Sequence, residues 1–191
     1  MILRAAEGNP SAIRGLLDRY RERLKRMVAS RMDPRIAARF DPSDIVQDTL
    51  MQASNRLPQY FKQQTLPFYP WLRGLAWDRI VQLHRLHIKS QKRSVNREQP
   101  LWLNDQSASD LADRLAGSMS DPAEKAIREE TRHRVRAALE LLKPEDREIL
   151  TLRYFEQLET GEIAAVLGIR EGTVNTRHFR AIRRLQRLLE S

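Results

Sequence analysis

The chain has 191 residues, of which 41% are hydrophobic and 31% charged, with a net charge of +9. It lacks cysteine, which excludes disulfide frameworks, thiolate zinc sites and cysteine nucleophiles. Few glycines and aromatics favour an all-α protein over a sheet-rich one; with no 18-residue apolar run and no signal peptide, a cytoplasmic protein without membrane insertion is expected.

Residues 11–30 (SAIRGLLDRYRERLKRMVAS) put Ile13, Leu16, Leu17, Tyr20, Leu24, Met27 and Val28 at helical spacing after Ser11 as N-cap. The following RMDPRIAARFDPSD holds two Asp-Pro pairs, which disfavour a continuous helix. Ser43 then caps a predicted helix to about Leu57, and a third helix opens near Pro70 and runs to about Lys89. From Ser90 to Asp121 the pattern weakens to a polar, Ser/Asp-rich linker with a short helix at 108–116. Asp121-Pro122 opens a helix to about Leu142, followed by helices near 145–155, 160–167 and 171–189. The expected architecture is two small helical domains joined by a linker: 1–92, linker 93–121, and 122–191.

Charge is distributed unevenly along this scheme. Residues 73–97 hold seven Lys/Arg and one acid, and residues 169–191 hold six Arg and two acids. Residues 98–130 between them hold eight acids and three bases. Two basic segments separated by an acidic one point to two contacts with a polyanion, on separate bodies.

The segment EIAAVLGIREGTVNTRHFRAIRRL has the anatomy of a helix-turn-helix. Ile163, Ala164 and Leu167 form the apolar side of a short first helix, and Gly168 supplies the positive φ of the turn. In the second helix Val174, His178, Ala181, Ile182, Leu185 and Leu188 share one side, all within about 80° of Val174 at helical spacing. Thr173, or Glu171 just before it, stands at its start, and Asn175, Thr176, Phe179, Arg180, Arg183 and Arg187 face the other way. A major groove admits one helix, and amide, hydroxyl, guanidinium and apolar groups read its base edges. Asn175 suits adenine, Arg180 guanine or phosphate, and Phe179 a thymine methyl. Arg183, Arg184 and Arg187, farther along, are expected to meet phosphates.

In the helix after Ser43, Val46, Leu50, Ala53 and Leu57 make a core stripe, while Asp44, Gln47, Asp48, Met51 and Asn55 make the opposite face. Two acids and an adaptable methionine suit docking to a basic protein surface, although a solvated face looks the same. In the third helix Leu72, Leu75, Ala76, Leu83 and Leu86 mark the core side, and Asp78, Gln82, Arg85, Lys89 and Lys92 a polar stripe. Trp77 beside that stripe is either core or a ring on which single-stranded bases stack; Trp71 is expected in the core.

DPSDIVQDTLMQA followed by PWLRGLAWDRIVQLHR resembles the second region of bacterial sigma factors of the extracytoplasmic-function (ECF) group, within the sigma-70 family. LKPEDREILTLRYFEQLETGEIAAVLGIREGTVNTRHFRAIRRLQRLL resembles their fourth region. The resemblance covers most of residues 11–90 and 122–191. It implies that the chain binds core RNA polymerase and directs promoter-specific initiation. The second region would dock on the clamp of the largest subunit through Asp44, Gln47, Asp48 and Met51. It would take the minus-10 strand with Trp77, Asp78, Gln82, Arg85 and Lys89. The fourth region would read the minus-35 duplex with Thr173, Asn175, Thr176, Phe179, Arg180 and Arg183. The family also admits an anti-sigma factor as a further partner. Trp77-Asp78 departs from the Arg-Asn expected at that place.

The alternative is a helix-turn-helix regulator whose N-terminal half senses a ligand or dimerises. An enzyme is not expected: no nucleophile–base pair or Gly-rich phosphate loop stands out, and neither metal nor cofactor is implied. His84 and His87 lack a carboxylate to complete a metal site.

Overall fold

The computed structural model describes residues 2–87 and 125–190. The expected linker, its short helix, Lys89 and Lys92 lie outside the described residues. The chain divides into two compact units, Met1–Trp102 and Leu103–Ser191, and every regular element among the described residues is helical.

The first unit contains α1 (Ile2–Ala6), α2 (Pro10–Arg31), α3 (Pro34–Ala37), α4 (Pro42–Gln63) and α5 (Phe68–His87). Both long N-termini follow one device: an Asx cap, then proline at the first helical position, where its missing N–H costs nothing. Asn9 accepts from the N–H groups of Ser11 and Ala12 at 3.1 and 3.0 Å, and Asp41 accepts from Ser43 N–H at 2.7 Å. The caps are therefore Asn9 and Asp41, two residues before the expected Ser11 and Ser43. That Ser43 N–H holds the exposed Asp41 carboxyl below its ordinary pKa.

α4 also runs six residues past Leu57. Pro58 lies inside it on the exposed side, where the carbonyl it leaves without a donor can meet water. The helix closes at Gln64, whose left-handed backbone (φ 38°) sends its N–H to Tyr60 O at 2.7 Å. α2, α4 and α5 pack on one another and bury Leu24, Val28, Ala53, Leu57, Leu72, Ala76 and Ile80 almost completely. Ile45 and Ile80 join the expected core, while Leu86, expected inside, is 58% exposed. Trp71 is half-buried rather than core, its ring 4.5 Å from that of Tyr60.

The second unit contains α6 (Lys125–Leu141), α7 (Pro144–Leu150), a π-helical turn (Thr151–Phe155), α8 (Thr160–Leu167) and α9 (Glu171–Glu190). Glu162 accepts the Glu159 N–H at 3.1 Å and so ties down the start of α8. α9 packs against α6, α7 and α8, burying Val174, Ala181 and Leu185.

Candidate nucleic-acid and protein interfaces

The turn between α8 and α9 is built on Gly168, at φ 63° and ψ 33°. The Ile169 N–H closes it on Ala164 O at 3.1 Å, a helix-ending bond that needs the left-handed residue in between. This turn lets α9 cross α8 and present one face outward. Thr173, Asn175, Thr176, Phe179, Arg180 and Arg183 are all exposed on that face. Phe179 is 61% exposed, with the Arg183 guanidinium 5.5 Å from its ring centre. Thr176 Oγ1 donates to Gly172 O at 2.9 Å, which orients its methyl and oxygen.

Behind the face, His178 Nε2 lies 3.1 Å from Tyr154 Oη. Burial, and then the nearby Arg153 charge, lower the His178 pKa, so the ring is neutral in the packed helix at neutral pH. The half-exposed Arg184 guanidinium, expected at phosphate, is paired with Asp146, a carboxylate at the start of α7 that is only 7% exposed.

In the first unit, Asp44, Gln47 and Met51 are exposed on α4, with Met51 at 63%. Asp48 is half-exposed and accepts from Arg79 of α5 at 2.9 Å, and Arg79 reaches Gln82 at 3.0 Å. Asp48, Met51, Asn55, Asp78, Arg79 and Gln82 line a groove of about 530 Å³ between α4 and α5, with Asp44 and Gln47 outside its lining. The structure thus divides the residues expected at the minus-10 strand. Asp78 and Gln82 belong to this groove beside Asp48 and Met51. Trp77 is half-buried instead, with the buried Arg31 and Arg73 guanidinium groups 5.9 and 5.7 Å from its ring. Arg85 is exposed, and Lys89 lies outside the described residues. The groove was not legible in sequence because it needs the α4–α5 crossing, which helical periodicity does not give.

The model of the family "Sigma-70, region 4" matches residues 132–185, which span α6 to α9. The chain is 25% identical over 186 residues to the ECF RNA polymerase sigma factor SigD of Mycobacterium bovis, covering 97% of this chain and 81% of SigD. Over nearly its whole length the chain is thus similar to ECF sigma factors of the sigma-70 family. It is also 28% identical over 191 residues to the ECF sigma factor BldN of Streptomyces coelicolor, covering 99% of this chain and 64% of BldN. Among solved structures it is similar to CnrH in complex with the cytosolic domain of CnrY: TM-score 0.56, 25% identity, covering 99% of this chain and 94% of that chain. No described helix is long and apolar enough to cross a membrane, and the described residues hold no cluster suited to a metal ion.

Proposed function

We propose that the chain is a sigma factor that binds core RNA polymerase through the α4–α5 groove of its first unit and reads a minus-35 duplex with α9 of its second. The observation that carries the reading is the exposed Asn175–Thr176–Phe179–Arg180 face, set outward by the Gly168 turn. It joins an amide, a hydroxyl, an apolar ring and a guanidinium on one groove-sized helix surface, the set that reads base edges. On the first unit, Asp44, Gln47, Asp48 and Met51, joined by Asp78 and Gln82, offer carboxylates, amides and an adaptable methionine to a basic protein surface, the clamp of the largest polymerase subunit. A carboxylate repels a phosphate chain, so Asp78 fits this protein contact better than minus-10 DNA. Trp77, Arg85 and Lys89 remain for the single strand, with the two residues short of Lys89 contributing an aromatic edge and a charge. The expected domain limits, 1–92 and 122–191, serve this division of labour, with the chain acting in the cytoplasm by binding rather than catalysis. CnrH was solved with the cytosolic domain of CnrY, and a protein partner that covered the α4–α5 groove here would oppose polymerase docking. The test is pull-down of core polymerase and selection of bound duplexes: the complex should form and enrich one minus-35 sequence, whereas a chain that binds neither is not working this way.

A further inference from the structure

We propose that Asp146 and Arg184 lock the orientation of α9, making Arg184 a positioning residue for base reading although it stands in a row of phosphate-facing arginines. This rests on the reading of α9 as the minus-35 helix. Arg184 lies one helical turn beyond Arg180, so it shares that residue's side of the helix. Arg183 and Arg187 are exposed, whereas Arg184 is half-exposed. Its Nη1 donates to Asp146 Oδ2, and both residues belong to the lining of an open cavity of about 930 Å³ bounded by the first turn of α7 and by α9. Phe179, Arg180, Arg183 and Arg187 line the same cavity.

Three features make the pair a lock rather than one more surface ion pair. Asp146 is 7% exposed, so losing its partner would strand a carboxylate away from water. It also stands in the first turn of α7, where the helix end favours a negative charge and keeps it in place. Finally, the apolar contacts of Val174, Ala181 and Leu185 are non-directional and let α9 roll on its bed. A charge-assisted hydrogen bond has a direction and stops the roll. The Arg134 guanidinium bonded to Leu189 O holds the far end of the helix in the same way. A roll of one helical residue would carry Arg180 and Phe179 away from the base edges they face. The tie at Arg184, one turn away, is where such a roll is best resisted.

The experiment uses the full chain with core polymerase and compares its selected minus-35 duplex with a scrambled one, over a range of salt. The variants are Asp146→Asn, Arg184→Gln, the pair combined, and Arg183→Gln as a phosphate-contact control. Each lock variant should cut the preference for the selected duplex by roughly tenfold, and the double variant no further, the non-additivity of one shared interaction. Scrambled-duplex affinity and the salt slope should stay as in the parent. Arg183→Gln should weaken both duplexes alike and reduce the slope by about 0.9. The double variant leaves no stranded charge, so it reports even if a single variant unfolds. Arg184→Gln behaving like Arg183→Gln would overturn the proposal, as would additive losses or a lower melting temperature with preference unchanged. A parent chain with no preference would overturn the minus-35 reading itself, and the lock with it.

Discussion

Two side chains on α9 show how far single residues carry the function. Phe179 keeps a large ring in water, with the Arg183 guanidinium 5.5 Å from its centre; an apolar contact in a DNA groove would give that exposure a use. Arg180→Ala should relax discrimination at one minus-35 position by about 1–3 kcal/mol, measured by binding to duplexes varied at each position; equal weakening on every sequence would make it a phosphate contact. His178 faces inward. Its folded pKa lies below its unfolded one, so between the two values the unfolded chain binds more protons. The contribution of His178 to stability is therefore full above about 6.5 and falls as pH drops through the window below it. Melting curves at pH 5 and 7.5 should show a smaller pH dependence for His178→Gln than for the parent. An identical dependence would place the titration elsewhere.

At the scale of elements, most of the helices were legible. Period 3.6 located α2, α4, α5, α8 and α9, and the two-helix anatomy around Gly168 was read correctly because a positive-φ turn needs glycine. Boundaries were less legible where two local signals competed. Asn9-Pro10 and Asp41-Pro42 set the caps by pairing an Asx side chain with a pre-formed φ, and the serines two residues on were the decoys. α4 runs past the predicted end near Leu57 because Pro58 lies on the solvent side, where water can satisfy the carbonyl it leaves. Gly168→Ala should cost about 1–2 kcal/mol from the left-handed backbone alone, since no atom lies within 4 Å of an added Cβ. Gly172→Ala, in open space inside α9, should instead stabilise by up to about 1 kcal/mol. Chemical denaturation of the two variants checks the opposite signs.

At the scale of the molecule, what stayed hidden was tertiary. A helical wheel shows that Asp78 and Trp77 diverge, but not that α4 supplies Asp48 and Met51 as neighbours of Asp78, nor that Arg31 and Arg73 flank Trp77. The same holds for Arg184: its row of arginines was visible, while its buried partner Asp146, 38 residues away, was not. Composition speaks more directly at this scale, because opposite charge in successive segments sets two basic stretches apart along the chain. Asp48→Lys should place a cation beside Arg79 in the α4–α5 groove and weaken core polymerase binding at least several-fold, by like-charge repulsion against a basic surface. Duplex binding by α9 should be unaffected, and an unchanged polymerase affinity would remove that groove from the interface. The central claim is tested most directly by adding the chain to core polymerase on genomic DNA and sequencing the transcripts. Discrete start sites sharing one upstream element, lost with Arg180→Ala, are predicted; core polymerase that starts no more selectively with the chain than without it would contradict the account.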